Sequence, residues 1–354
     1  MQSLKQILFD AERMKYPHTG LYHFCLHLAN ALLDNADDSR EQIRLLMPNK
    51  EKHLFKKAND LIPVQPWHKI FRPSTKNIHV WHATHQDTQY FLFNKKVPVV
   101  LTIHDLNYFN DPAKSARKKK IFLQELENKI KASAYLSFIS NHTLNDLSQH
   151  IDISDKPHSV VYNGCNILEI HELKTPKLSL SKPFLFTIGT IASKKNFHVL
   201  PSLLVKNDLV LIIAGITQDE NYKQKIINEA KKHQVQDRII FTGPINENDK
   251  QWYYKNCEAF VFPSIAEGFG LPVIEAMYFG KPVFLSKSTS LPEIGGDAAF
   301  YFHSFEPVDM LQTLEEGLHQ FSTMNLSDKL KKRAQMFSWE NAALDYLNIY
   351  RSLY

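Results

Sequence analysis

The sequence predicts two consecutive doubly wound α/β domains, and three observations support this. The chain has 354 residues, and at roughly 100 to 200 residues per domain that length calls for two domains, each with its own core. Short apolar runs alternate with helix-length amphipathic segments almost throughout, which is the pattern of βα units around a parallel sheet. Glycine use breaks near the middle: of 11 glycines only Gly20 lies before residue 164, and the other ten fall at Gly164 or beyond. Glycine gathers where a backbone must turn sharply or admit a ligand closely, so the two halves are expected to do different work.

In chain order, apolar runs at 6–9, 43–47, 78–81, 97–103, 135–139 and 159–162 read as strands. Amphipathic stretches at 21–33, 113–131 and 143–150 read as helices between them. A stretch bearing proline and lysine, 173–183, then interrupts the pattern. A second series follows, with strands at 184–188, 209–214, 238–241, 259–262 and 282–285 and helices between them. The domains are therefore expected at 1–168 and 177–337, joined near 166–182, with ligands bound at the carboxyl ends of the strands.

Composition narrows the class. Hydrophobic residues make up 44% and charged residues 22%, values of a folded soluble protein rather than a disordered or fibrous one. No stretch approaches the roughly 18 uninterrupted apolar residues of a membrane span, and residues 1–10 carry no signal-peptide core, so a cytoplasmic location is expected. Cys25, Cys165 and Cys257 lack metal-ligand spacing and read as buried small hydrophobes. Divided after Lys177, the chain carries +6 in its first part and −1 in its second, and a positive excess favours an anionic surface or substrate.

The chemistry concentrates in Phe262-Pro-Ser-Ile-Ala-Glu267-Gly268-Phe269-Gly270-Leu271-Pro272-Val-Ile-Glu275. A strand ends at Phe262, a loop with two glycines follows, and Pro272 stands where a helix begins. The amides of Phe269, Gly270 and Leu271 would face a ligand at that helix N-terminus, where the helix dipole favours an anion such as phosphate. Glu267 in the loop and Glu275, placed by this reading in the first helical turn, flank the same anion pocket. Carboxylates there repel phosphate unless they bind hydroxyls, and a sugar nucleotide supplies hydroxyls on both sides of its diphosphate.

This segment resembles the E-x7-E signature of family 4 retaining glycosyltransferases of GT-B architecture, in which two Rossmann-like domains face each other across a cleft. Gly189-Thr190-Ile-Ala-Ser-Lys194-Lys195-Asn196 is similar to the phosphate-binding loop that opens the donor domain of that family. Val161-Tyr-Asn163-Gly164, Thr102-Ile-His104-Asp105, Ser290-Leu-Pro-Glu293 and Phe337-Ser-Trp339-Glu340 also fit, in the family's order. The resemblance covers nearly the whole chain. It implies an acceptor-binding domain at 1–168, completed by a C-terminal helix at about 338–354, and a donor-binding domain at 177–337.

The resemblance further implies that Lys195 contacts the donor diphosphate, Glu275 the ribose hydroxyls, and Glu267 the hydroxyls of the transferred sugar. Many family members carry an arginine beside the position of Gly189 or of Lys195; this chain has Thr190 and Lys194, so a bidentate clamp is replaced by a point charge. His104, at the carboxyl end of the strand 97–103, is expected to face the cleft and contact sugar or acceptor. Gly20, between the first strand and the first helix, is expected to offer backbone donors near donor or acceptor.

Other clusters are weaker. His79, His82 and His85 have no accompanying acidic ligands, and alternate strand residues face opposite ways, so no zinc site is expected. No D-x-D pair occurs in the chain, and no metal or other cofactor is expected beyond the nucleotide sugar itself. Lys114, Arg117, Lys118, Lys119 and Lys120 form the densest basic run; it reads as a contact for an anionic membrane or lipid diphosphate, or as a solvated helix face. No nucleic-acid-binding module surrounds it.

The sequence thus predicts a metal-independent, retaining hexosyltransferase acting from a nucleotide diphosphate sugar, such as GDP-mannose or UDP-glucose, on a glycan or lipid-linked glycan acceptor. Bacterial surface-polysaccharide or lipopolysaccharide assembly is its expected setting, in the cytoplasm or at the inner face of the membrane. The rival readings are a nucleotide-sugar epimerase of the same architecture and a non-catalytic sugar-nucleotide-binding module. Glu267 acting as a covalent nucleophile is the mechanistic rival.

Overall fold

The computed structural model describes residues 4–354 apart from 18, 56, 59, 94, 95, 169 and 179–181. Its chain divides into two units, Met1–Gly164 with Ser338–Tyr354, and Cys165–Phe337. Positions 169 and 179–181 of the expected connection at 166–182 lie outside the described residues.

The first unit is built on a seven-stranded parallel sheet. Its strands are β1 (Lys5–Asp10), β2 (Glu41–Met47), β3 (Leu61–Pro63), β4 (Ile78–Ala83), β5 (Val99–Ile103), β6 (Tyr135–Phe138) and β7 (His158–Val160), in the spatial order β3-β2-β1-β4-β5-β6-β7. Helices α1 (Gly20–Asn35), α2 (Asn107–Asn110), α3 (Ala116–Ala132) and α4 (Asn141–Ser148) connect them. Every residue of β5 is buried, as in a central strand covered on both faces. The three-residue β3 was not read from sequence: it is too short for a periodicity, and it ends in a proline at the sheet edge, where a lost donor costs nothing.

Caps decide where the helices start. Thr19 accepts from the Tyr22 amide (3.2 Å), so Gly20 is the first residue of α1 rather than part of a loop. The stretch expected to be helical from 113 begins at Ala116, because Asp111 takes the Ala113 amide (2.8 Å) into a turn and Ser115 caps the helix. Ser140 caps α4 through the Thr143 amide (3.1 Å), two residues ahead of the expected start.

The C-terminal helix Trp339–Arg351 belongs to this first unit, and a buried polar layer ties it to the sheet. Tyr350 Oη lies 2.7 Å from His82 Nδ1, and His82 Nε2 lies 2.8 Å from Thr102 Oγ1. Ser137 Oγ donates to Tyr346 Oη (2.9 Å), which also meets Thr102 Oγ1 (2.9 Å). One helix is thereby bonded to three adjacent strands, β4, β5 and β6. Beyond the layer, Glu41 at the start of β2 accepts from Arg351 Nε (3.1 Å) and Tyr354 Oη (2.8 Å).

The second unit has a six-stranded parallel sheet of β8 (Phe184–Ile188), β9 (Val210–Ala214), β10 (Ile239–Gly243), β11 (Ala259–Phe262), β12 (Val283–Leu285) and β13 (Phe300–Tyr301), ordered β10-β9-β8-β11-β12-β13. Its helices are α5 (Glu220–Lys232), α6 (Glu247–Asn256), α7 (Leu271–Tyr278), α8 (Leu291–Gly295), α9 (Pro307–Met324) and α10 (Ser327–Gln335). Both sheets start in the middle and wind outwards in both directions. Each therefore has a switch point, between β1 and β4 and between β8 and β11, where loops diverge and leave a crevice. Cys25 and Cys257 are buried and Cys165 is half-buried, all three as free thiols; burial pushes the Cys257 thiol up to about 12.

Burial holds three first-unit histidines neutral: His104 is lowered to about 4, His82 to about 3, and His85 well below its ordinary value. The unfolded chain therefore takes up protons that the fold rejects, and this stability, full above an ordinary histidine value of 6.5, is lost progressively as pH falls from there towards the folded values of about 4 and about 3. Asp10, raised to about 7 by burial and by Glu12, works in the opposite sense, since the fold keeps a proton that the unfolded carboxyl releases. Among these four groups the three histidines outnumber Asp10, so their net effect near pH 5 is a loss of stability as pH falls. Thermal melts between pH 6.5 and 4.5 should show a falling midpoint, with a shallower slope in His82→Gln; a flat profile would contradict the neutral buried histidines.

Candidate functional site

At the switch point of the second sheet, β8 runs into the loop Gly189–Lys195 and β11 into the loop 263–270. The first loop can pass close to β9 only because Gly215 has no side chain. Its φ is +135°, and a Cβ there would lie 2.1 Å from the Gly189 carbonyl oxygen. The turn Ser193–Lys195 is closed by Asn196 in the left-handed conformation (φ 56°) and aims Lys195 back over the sheet. Lys195 is only 9% exposed. Its Nζ lies 2.5 Å from Glu267 Oε1 and 4.8 Å from the centre of the Phe262 ring.

Glu267 is held from the backbone as well. Its amide donates to Thr289 Oγ1 (3.1 Å), while Ser290 Oγ donates to the carbonyls of Glu267 (3.1 Å) and Phe269 (2.8 Å). Lys194 contributes through its carbonyl, which accepts from the Ile265 amide (2.9 Å) and Ser264 Oγ (3.1 Å), and its side chain is exposed. Thr190 sits half-buried on the rim. Gly270 caps α7 at φ 109°, a conformation glycine adopts without strain, and Leu271 and Pro272 open the helix.

Glu275 lies in the second turn of α7, not the first as the sequence suggested, because the helix starts at Leu271. There it is 4% exposed. Lys250 Nζ stands 3.2 Å from its Oε1, and Tyr254 Oη donates to its Oε2 (2.9 Å). Burial opposes the Lys250 charge, yet Glu275 and Glu247 together raise its pKa. Burial and the neighbouring Glu275 carboxylate push the Tyr254 hydroxyl well above its ordinary value. Sequence reasoning missed both partners. The available signal was their i, i+4 spacing, which puts Lys250 and Tyr254 on one face of α6.

The remaining candidates lie in the first unit. His104 directly follows β5, and its Nε2 donates to the Thr84 carbonyl (2.8 Å). With the ring neutral, the lone pair is on Nδ1. The His104 amide donates to Gln86 Oε1 (3.0 Å), Thr143 Oγ1 donates to its carbonyl (3.0 Å), and Phe24 of α1 stands edge-on to its ring at 4.6 Å. Gly20 is exposed at the start of α1. His79 accepts from the Gln6 amide (3.1 Å) and His82 serves the buried layer. Among the described residues no group of three or more His, Cys, Asp or Glu could hold a metal ion, and no helix is long and apolar enough to cross a membrane. In the basic run Lys114 pairs with Asp111 (3.8 Å) and Lys119 covers the Phe109 ring (5.8 Å), whereas Arg117, Lys118 and Lys120 are exposed.

Residues 171–336 match the family model for glycosyl transferases group 1, which is nearly the whole unit Cys165–Phe337. The O-antigen chain mannosyltransferase B of Escherichia coli is 22% identical over a match covering 98% of this chain and 100% of that one. The serotype-specific mannosyltransferase WbdA of Escherichia coli is 27% identical over 67% of this chain, a match that takes in 29% of that protein. Among solved structures, Anabaena HepE in complex with UDP-glucose is alike in fold with a TM-score of 0.76, at 15% identity, covering 98% of this chain and 99% of that one.

The buried Glu275 depends on Lys250 for its countercharge. Lys250→Met should therefore destabilise the folded protein by about 3–5 kcal/mol in chemical denaturation, the usual cost of leaving one member of a buried pair alone. Adding Glu275→Gln should restore part of that loss; a single variant as stable as the wild type would mean that the pair carries no such charge.

Proposed function

We propose that the chain is a glycosyltransferase of the GT-B type that moves a hexose from a nucleotide diphosphate sugar to a glycan or lipid-linked glycan acceptor, with retention and without a metal ion. The observation that carries this reading is the Lys195–Glu267 pair, set at the switch point of the second sheet beside the N-terminus of α7. An ammonium has three donors. One is engaged by Glu267, and the others are available to a departing diphosphate, where developing negative charge rewards a preplaced cation.

The helix dipole of α7 adds positive potential at the same place. Glu267 accepts from hydroxyls of the transferred sugar. Glu275 takes the ribose hydroxyls with the lone pairs that Lys250 and Tyr254 leave unused, an ionised carboxylate offering about four acceptor sites. Neutral His104 presents the Nδ1 lone pair to a sugar hydroxyl. In the transfer, the bond from the anomeric carbon to the diphosphate oxygen breaks while the acceptor oxygen bonds to that carbon on the same face. The acceptor proton goes to the departing diphosphate oxygen. Lys195 and the dipole of α7 supply the positive potential, so transfer should persist in excess EDTA.

The full-length likeness to an O-antigen mannosyltransferase supports mannose as the sugar and surface-polysaccharide synthesis as the setting, which makes GDP-mannose the first donor to test and UDP-glucose the second. The exposed Arg117, Lys118 and Lys120 beside Ile121, which is 47% exposed, support work at the inner face of the membrane.

Thermal-shift screening with nucleotide sugars should give one donor that raises the melting point, and Lys195→Ala should then lower turnover by about 100-fold or more with a smaller change in donor affinity. Unaltered turnover in the folded variant would remove Lys195 from the reaction. Conversion of the donor with no acceptor present would mark an epimerase, and binding without transfer to any acceptor would mark a sensing module. For the membrane reading, cosedimentation with anionic vesicles should weaken as salt rises and be lost when Arg117, Lys118 and Lys120 become glutamate. Equal cosedimentation of the two proteins would end that reading and leave the enzyme assignment untouched.

A further inference from the structure

Three large apolar side chains of the first unit stand exposed within five residues: Trp67 at 58%, Ile70 at 79% and Phe71 at 72%. Other exposed apolar side chains, such as Leu168, Val308 and Met324, are far apart in sequence, which is ordinary for a surface. The backbone holds the three outward. In the turn Pro66–Lys69 the Trp67 carbonyl accepts from the amides of Ile70 (3.0 Å) and Phe71 (2.8 Å). Arg72 then fastens the turn to the chain after β4, donating from Nη1 to the His68 carbonyl (3.0 Å) and from Nε to the Phe91 carbonyl (3.0 Å). Pro73 behind it is buried. Apolar groups fixed in water this way gain by meeting an apolar phase.

Charge says which phase. From Leu61 to His104 the sequence carries five lysines and arginines against the single Asp87, and Lys69 and Lys76 are exposed. Through Arg72 the turn borders a groove between α3 and the chain after β4, whose lining includes Phe93, 56% exposed, and Lys118 and Ile121 of α3. The turn and the exposed side of α3 therefore meet at one groove. Its exposed carboxylates, Asp87 and Glu125, both interact with the ammonium of Lys129. A second copy docked face to face would set the cations of the turn against themselves. An anionic bilayer supplies both complements: phosphates for the lysines, and an acyl boundary for the rings, where tryptophan is the favoured side chain.

We propose that residues 66–71 form a lipid-inserting element that seats Trp67, Ile70 and Phe71 among the headgroups and upper acyl chains of an anionic membrane. The proposal deepens the membrane reading given above, which rests on the exposed charges of α3, by adding an apolar anchor on a different element. Charge draws the surface to the bilayer, and insertion lengthens its stay. Either signal alone binds only weakly and reversibly, whereas two together hold.

The chain carries its own probe. Trp81 and Trp339 are buried and Trp252 is half-buried, so Trp67 is the one exposed tryptophan. Vesicles of phosphatidylglycerol and phosphatidylcholine should shift the emission of the full chain to shorter wavelength, and brominated acyl chains should quench it. Both signals should vanish in Trp67→Tyr. The double variant Ile70→Ser, Phe71→Ser should bind the same vesicles more weakly by roughly tenfold or more; both side chains are exposed, so their loss opens no core, and thermal midpoints confirm folding. Vesicle binding without quenching overturns the insertion and leaves the charge contact of α3 standing, whereas no vesicle binding at all removes both. Quenching that persists in Trp67→Tyr also overturns it, as does a self-association of the wild type that the double variant abolishes, which would assign the turn to a second copy. Nucleotide-sugar binding is read separately by thermal shift, so none of these results bears on the transferase reading.

Discussion

The short ion pair between Lys195 and Glu267 is the interaction on which the candidate site depends, because it joins loops from the two strands, β8 and β11, between which the second sheet reverses its winding direction. A parallel sheet wound both ways from its middle leaves its connections diverging at that point. Left alone, two such loops would splay. Here a charge-assisted bond closes them, the Lys194 carbonyl fastens the second loop to the first, and Thr289 and Ser290 fasten it to the chain after β12. A lysine held this way is oriented before a substrate arrives, which is the condition for an electrostatic contact to act on a transition state without reorganisation.

The same economy governs the buried polar groups of both units. In two sets the groups are matched by partners on a different element, so they specify which element packs where. His82, Thr102, Ser137, Tyr346 and Tyr350 place the C-terminal helix over β4, β5 and β6; Lys250 and Tyr254 set α6 against Glu275 of α7. An unpaired member of either set would cost more than the bond contributes. These groups therefore act more on register and orientation than on net stability.

The strands were largely legible because their signal is local. Runs such as 184–188, apolar but for Thr187, and 259–262 became β8 and β11 with the same bounds. The edges were less legible: β3 and β13 are three and two residues long, too short to repeat a period. Helix starts shifted by up to three residues where a single cap, Ser115 or Ser140, took the first amide. In the site, Lys195 and Glu267 were both visible as motif residues, but their bond spans 72 positions and no local pattern announces it. Lys250 and Tyr254 carried no motif at all.

By itself the sequence determined the doubly wound α/β class, the concentration of glycines and carboxylates in the second half, and the anion-favouring start of α7, since periodicity, backbone permissiveness and helix polarity are properties of short segments. Tertiary structure decided what those residues face. It turned Glu275 inward to a lysine and a tyrosine on α6, fixed His104 as a neutral ring with Nδ1 carrying its lone pair, spent Lys114 and Lys119 on neighbouring side chains, and opened a groove between α3 and the chain after β4. Each of these depends on contacts between elements far apart in the chain, and burial, countercharge and hydrogen-bond direction exist only once those contacts form.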